Sequence, residues 1–437
     1  MGVDGPAPPT ADLFLFGPFA LDGFARTLHS HDLAVPLQPK TFELLDHFVR
    51  NAGRLLSMTE ILDAVWPAEA MTASSFTEQM LVLRGTLARH SPRATYIVTE
   101  AGLGYRFVAR VIAPEPCTAA EDLEANRLYA RGRYFYEKRT AESLHRSIHY
   151  FRQAIDLDPD FARAHAGLAN AFALSGEYLL MAPSDASPRA ASAARRALEL
   201  DPTLADAQIV LGNVACRYDR DYVRAERHFA QAAALAPNSG NTVVSRAWFL
   251  CIMGRAQEAA QTLREALLAE PYSLILQTTL AVSSIFRREY GEAIRLLQGV
   301  RKLDADYVHG RFYLAVATHL DGRFADAVAL SEGTVPDGYE QQFMALRGRS
   351  LAGLGQLAEA RAIEDAMRAL VSRGRYVSCF NLAWIANGLG ESGHAVRLLE
   401  AGFAEHDPWT VCLPEFPLFD TLRGDRRFEA LIRRIRP

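Results

Sequence analysis

Between about residues 140 and 305 the sequence returns to the same pattern with a period near 34. Sets of four residues separated by four, three and five recur: Ser147, Phe151, Ala154, Pro159; Ala190, Ala194, Ala197, Pro202; Ala225, Phe229, Ala232, Pro237; Ala259, Leu263, Ala266, Pro271; and Ala293, Leu297, Val300, Ala305. Steps of four and three stay on one face of a helix, so each set reads as a buried stripe, usually closed by a proline that ends the helix. A second series of small residues, Ala169, Gly212, Ala247, Ala281, Ala315, Gly348 and Ala383, has separations of 43, 35, 34, 34, 33 and 35. Two antiparallel helices approach closely only where a side chain is nearly absent and a bulky one opposite fills the notch, so this series marks the partner helix of each unit. The one long step contains MAPSDASP (Met181 to Pro188), which reads as a proline-rich insertion between the two helices of a unit. A single hairpin leaves its apolar face wet and a stack buries it, so the expected architecture is an all-α solenoid with a closing cap.

Turns such as Met253-Gly254-Arg255, Asp321-Gly322-Arg323 and Leu354-Gly355-Gln356 separate these helices. Together with the spacings they resemble the tetratricopeptide repeat family over residues 121–408, as seven to eight units. The resemblance implies a superhelix whose inner groove docks a protein or peptide, or mediates self-association. Trp248 and Trp384 each follow a notch residue by one, as do Asn170, Asn213 and Arg349, a phase that would line such a groove; packing between repeats is the other reading. The pattern weakens after Val335, where Ala327 is followed by Ser331 and Thr334. Residues 409–437, ending in LRGDRRFEALIRRIRP, read as the closing segment, with the arginines on a solvated face.

Residues 113–120, within IAPEPCTAA, have no helical or alternating pattern and read as a linker. Ahead of it, residues 11–112 mix strands and helices. LFLFGPFAL (Leu13 to Leu21) alternates like an edge hairpin, a short strand is expected near Leu33 to Leu37, and His29 and His31 fall in the turn between. Pro39 opens a helix with Phe42, Leu45, Phe48 and Val49 inward. The capping box Ser57-x-x-Glu60 starts a second helix that runs to Trp66 and is stopped by Pro67; Ser75-x-x-Glu78 is read as the same device on a third helix, with Phe76, Met80, Leu83 and Leu87 on one face. Tyr96 to Thr99 and Tyr105 to Val108 flank a turn with Gly102 and Gly104, which predicts a β-hairpin.

Three helices followed directly by a hairpin, with Asn51-Ala-Gly-Arg-Leu-Leu-Ser57, Trp66, Ser74-Ser75-Phe76-Thr77-Glu78-Gln79, Leu83-Arg84, Tyr96-Ile-Val-Thr99 and Gly102-Leu-Gly-Tyr-Arg-Phe107, resemble the OmpR/PhoB-type winged-helix domain. The fold class implied for the chain is a small α+β winged helix followed by the all-α repeat solenoid. In that family the third helix enters the major groove of double-stranded DNA and the wing reaches the adjacent minor groove. Carried over by position, Ser74, Ser75, Glu78, Gln79, Val82 and Arg84 face the duplex, Gln79 suited to adenine and Arg84 to guanine or a phosphate, while Thr99 and Arg106 serve the backbone near the wing. The loop Pro67 to Ala73 would touch RNA polymerase. Leu81, Val82, Gly85, Glu100, Ala101 and Leu103 stand where the family commonly has basic residues, and residues 11–112 hold nine arginines plus lysines against ten acids. Such a domain releases few counterions, so weak single-domain affinity, a shallow salt dependence and reliance on a homodimer or partner are expected.

The net charge of the whole chain, -4, gives no general attraction to nucleic acid or to an acidic membrane. Five cysteines without a C-x-x-C argue against a disulfide framework or zinc knuckle, no apolar run reaches the ~20 residues of a spanning helix, and MGVDGPAPPT is not a secretory signal; a cytoplasmic protein is expected. His145 and His149 have metal-ligand spacing but no third ligand, and no phosphate-binding or nucleophile motif is present, so neither cofactor nor catalysis is expected. The sequence therefore reads as a bacterial transcriptional regulator. The alternative is an interaction scaffold whose winged helix no longer binds DNA.

Overall fold

The computed structural model describes residues 13–23, 26–30, 33–66, 73–92, 94–112, 120–335, 337–372 and 374–436. They pack as two compact units, one comprising residues up to Lys138 with His149–Pro159 and Leu303–Asp306, the other Arg139–Ile148, Asp160–Lys302 and the remainder from Tyr307.

The first unit opens with an antiparallel sheet of four consecutive strands, β1 (Leu13–Phe16), β2 (Phe19–Asp22), β3 (Thr27–Ser30) and β4 (Leu33–Val35). Strand β3 replaces the expected turn: its four residues are too polar to read as a strand, yet Leu28 and Ser30 are buried and His29 pairs with Ala20. His31 lies outside the described residues. Helices α1 (Pro39–Arg50), α2 (Met58–Val65) and α3 (Ala73–His90) follow, then a second sheet in the order β5 (Leu55–Leu56), β7 (Gly104–Phe107), β6 (Ile97–Glu100). Phe42, Leu45, Phe48 and Val49 of α1 and Phe76, Met80, Leu83 and Leu87 of α3 are all buried, as their spacing requires. They close over Phe16, Phe19 and Phe107, with Phe16 edge-on to Phe107 at 5.2 Å. Ser57 caps α2, its Oγ accepting from the Glu60 N–H at 3.2 Å. Ser75 does not stand at the start of α3, which already begins at Ala73. Gly104 has φ +148 and a Cβ there would lie 2.1 Å from the Leu56 carbonyl oxygen, so only glycine lets β7 lie on β5 at this point.

By packing, the first array helix, α4 (Ala120–Lys138), belongs to this unit: the Tyr134 hydroxyl donates to the Pro18 carbonyl at 3.2 Å, and Arg110 pairs with Glu137. Its Gly132 is a further notch, where a Cβ would come 2.7 Å from the ring of Phe151 in α5 (Ala141–Leu157).

The second unit continues as helical pairs: α6 (Ala162–Glu177) with α7 (Pro183–Leu200), α8 (Ala205–Val214) with α9 (Tyr222–Leu235), α10 (Gly240–Ile252) with α11 (Ala256–Ala269), and α12 (Leu274–Phe286) with α13 (Tyr290–Leu303). After these come α14 (Val308–Leu320) with α15 (Phe324–Leu330), α16 (Glu340–Gly353) with α17 (Leu357–Val371), α18 (Cys379–Gly388) with α19 (Ser392–Ala404), and α20 (Arg426–Ile435). Every expected notch residue is buried, and the bulk opposite is visible in the geometry. A Cβ on Gly212 would sit 2.9 Å from the Phe229 ring, and one on Gly348 would sit 3.1 Å from Ile385. Most of the MAPSDASP insertion is helical: α7 starts at Pro183, a position where a missing N–H costs nothing, and carries Pro188 inside it. Helix α15 has only 7 residues, which is why the pattern fails beyond Ala327.

The C-terminal segment packs on the last pair, Phe419 meeting Phe380 of α18 at 5.2 Å and Asn387 donating to the Thr421 hydroxyl at 2.9 Å. It also returns to helices of the middle units. Trp409 meets Trp248 of α10 with ring centroids 6.1 Å apart, Phe416 meets Phe286 of α12 at 5.1 Å, and Asp420 takes a forked pair from Arg288 at 3.0 and 2.9 Å. At the far end, the Tyr222 hydroxyl donates to the Ile435 carbonyl at 2.9 Å, and Arg436 reaches Glu415 and the Ile252 carbonyl. Leu413, Leu418, Phe419 and Phe428 are buried, so this strap is part of the core.

Two outcomes test this packing. Gly212→Leu overfills its notch and is expected to cost about 1–3 kcal/mol, whereas Gly212→Ala with Phe229→Leu, which recreates the Ala247 and Leu263 pairing of the next unit, stays within about 1 kcal/mol of the parent in a urea titration. Trp409→Ala is expected to speed amide exchange in residues 405–425 and in α10 while leaving α6 and α7 unchanged, read by hydrogen-exchange mass spectrometry.

Candidate nucleic-acid interface

Helix α3 buries one face in the winged-helix core and leaves Ser75, Thr77, Glu78, Leu81, Val82, Gly85, Ala88 and Arg89 exposed. This strip follows the steps of three and four that keep one side of a helix. The tip of the β6–β7 hairpin, Ala101, Gly102 and Leu103, is exposed in the same unit. Ser75, Glu78 and Val82 thus lie on the outward face as expected, and the side chain of Ser74 is outside the described set.

The two residues expected to read base edges are held by the protein. Arg84 donates through Nη2 to the Ile97 carbonyl at 3.1 Å and to Thr99 Oγ1 at 2.8 Å, and its guanidinium lies 6.0 Å from the Tyr105 ring. It is a strut from α3 to the wing, and it engages the hydroxyl of Thr99. Gln79 turns inward, its Oε1 accepting from the buried Thr41 hydroxyl of α1 at 3.0 Å. Arg106 pairs with Glu100 at 2.7 Å and donates to the Gly53 carbonyl at 2.6 Å, bracing the wing against the turn after α1. Helical phase could not separate these roles, because 79 and 84 border the buried face and partners from α1 and β6 decide where the side chains go.

The other described cations of the domain are likewise partnered. Lys40 donates to the Val65 carbonyl, Arg26 and Lys40 both meet Glu43, Arg50 meets Asp46, Arg54 meets Glu60, and Arg89 donates to Thr86. The Arg26 guanidinium holds the Glu43 carboxyl below its usual range. Burial pushes the Tyr96 phenol up to about 12, so it stays neutral in the core. The outward strip itself carries Glu78 and Arg89 as charges and is otherwise polar-neutral or apolar, with Leu81 71% exposed, Val82 45% and Leu103 64%. The loop 67–72 assigned to RNA polymerase lies outside the described residues.

The residues expected to line the array groove are mostly covered. Trp248 is nearly buried, flanked by Phe286, Tyr313 and Trp409. Trp384 is buried against Phe380. Arg349 donates to the Trp384 carbonyl at 3.2 Å and lies with Nε 3.2 Å from His319 Nε2; burial lowers Arg349 to about 10 and His319 to about 3, so the imidazole is a neutral acceptor there and meets Ser350 through Nδ1 at 2.8 Å. Asn170 and Asn213 are half-buried. The sequence reading missed Arg217, whose guanidinium lies 5.7 Å from the Trp248 ring and 5.1 Å from the Trp409 ring while donating to the Pro408 carbonyl at 3.2 Å. It sits in a π-helical turn, Ala215–Asp219, that a 3.6-residue period cannot foresee.

Residues 32–107 match the family described as "Transcriptional regulatory protein, C terminal". The KDP operon transcriptional regulatory protein KdpE of Escherichia coli is 34% identical over 97 residues, 22% of this chain and 43% of that protein. The transcriptional regulator HilA of Salmonella typhimurium is 24% identical over 174 residues, 40% of this chain and 31% of that protein. The chain thus spans under half the length of either relative. Among solved structures, the human IFIT1 dimer with m7Gppp-AAAA is similar in fold, with a TM-score of 0.51 at 13% identity over 83% of this chain and 79% of that one. Residues 32–107 are a domain of the OmpR/PhoB-type transcriptional-regulator family, carried in this chain together with a tetratricopeptide-like array of helical pairs.

Proposed function

We propose that this chain regulates transcription by binding duplex DNA through α3 and the wing, with the helical array making a protein contact or a self-association that sets its activity. The observation that carries the DNA reading is the exposed outward strip of α3 beside an exposed hairpin tip, in a domain whose motifs match a family of transcriptional regulators. Phosphate contacts would come from exposed cations that exchange a carboxylate for a phosphate, such as Arg54 or Arg26. That exchange gives little net affinity per contact, so paired copies on two half-sites supply the rest. The loop 67–73 is the candidate contact for RNA polymerase, the reading places the protein in the cytoplasm, and it assigns no catalytic step. In the array, Arg217, Trp248 and Trp409 hold the strap in place, so a partner meets the faces that the strap leaves open, including those of Asn170 and Asn213.

A scaffold that no longer binds DNA is the second reading, favoured by the apolar strip and the partnered cations. Anisotropy titration of the full-length protein against duplexes selected from a random library separates the two. Regulation predicts saturable binding whose log Kd against log salt has a slope of magnitude about 2–4, as for two to four phosphate contacts; no binding at any salt supports the scaffold. Arg84→Ala removes two charge-assisted hydrogen bonds between α3 and the wing, so it is expected to lower domain stability by about 1–3 kcal/mol and to weaken binding to all sequences alike. A changed sequence preference at unchanged stability would instead place Arg84 on a base.

A further inference from the structure

We infer that α3 recognises DNA by the C5-methyl groups of thymine, so the duplex this protein selects is thymine-rich beneath α3. The inference rests on the DNA reading above and deepens it. Three polar side chains expected at the duplex are withdrawn: Arg84 is bonded to Ile97 and Thr99, Gln79 to Thr41, and Arg106 to Glu100 and Gly53. Leu81 and Val82 stand in their place on the outward face of α3, both well exposed. A leucine or valine offers a base edge no hydrogen bond. Of the four bases only thymine presents an apolar group in the major groove, and pressing an aliphatic side chain onto the amino or carbonyl edges of the others strands those groups without water.

Gly85 is an independent pointer to a closely approaching ligand. It lies inside α3 one turn after Leu81 and Val82, it is exposed, and a Cβ there would meet nothing within 4 Å. Alanine would fit and would make the helix more stable by about 1 kcal/mol. Packing within the unit therefore gives no reason for glycine, whereas a partner lying against this face gains from the missing methyl. Ala88 carries the same small profile one turn further on. Glu78, on the same strip, accepts from an adenine or cytosine amino group and repels phosphate, which fits a helix face directed at base edges rather than at the backbone.

The test uses the full-length protein and its selected duplex. Each thymine is replaced in turn by deoxyuridine, which deletes one methyl and keeps every hydrogen-bonding group. Two or more such replacements are expected to weaken binding by about fourfold each, the equivalent of one buried methyl-sized group. The same replacements should have little effect on a Leu81→Ala, Val82→Ala double variant. Gly85→Ala is expected to lower affinity at least tenfold while leaving or raising the melting temperature, so a folding defect cannot mimic the result. Binding that tolerates deoxyuridine throughout, or a selected duplex without thymine beneath α3, overturns the inference and leaves the regulator reading standing. Failure to bind any duplex overturns both, and dimerisation through this strip, detected as loss of self-association in Leu81→Glu, would then be its use.

Discussion

Arg84 sets the geometry of the reading surface. Its two hydrogen bonds to β6 fix the angle between α3 and the wing, and the aromatic ring of Tyr105 lies close to the guanidinium. A cation used in this way is unavailable to DNA, and the same holds for Arg106 at the base of the hairpin. The domain has exchanged electrostatic reach for a rigid frame, and the outward strip presents Leu81 and Val82 beside few charges. The near-neutral charge of the domain is thus a property of how its cations are placed as well as of their number.

Much of this was legible in the sequence. The winged-helix core followed from period-two and period-3.6 stripes, because burial enforces those periods wherever a single face meets the core. Where the sequence misled, a local rule met a tertiary partner. Ser75 has the residues of a cap, but α3 begins two positions earlier. Strand β3 has too little apolar signal to announce itself, yet pairing on both sides makes it a strand. Gln79 and Arg84 lie at the border between the buried and exposed faces of α3, where periodicity cannot say which way a long side chain turns.

The array shows the same division. Notch and bulk are both encoded in neighbouring helices, so their spacing revealed the pairs, including the Gly212 and Phe229 contact. The strap joins residues far apart in the chain, and no periodic pattern marks Arg217, Trp409 or Asp420 as partners of the middle units. Within the MAPSDASP insertion α7 can start at Pro183, because the first helical position has no N–H partner to lose.

Closing the array with its own tail has a consequence for how the protein is made. The pairs Tyr222–Ile435 and Arg288–Asp420 join residues 213 and 132 positions apart, so the middle helices lack part of their final packing until Asp420 and Ile435 have been synthesised. Contacts of such long range slow folding. The winged helix, by contrast, is complete early and made mostly of nearby contacts, and it folds while the rest is still emerging from the ribosome. A ribosome that stalls or terminates shortly before the final arginines would release a protein with a finished reading head and an open, sticky middle.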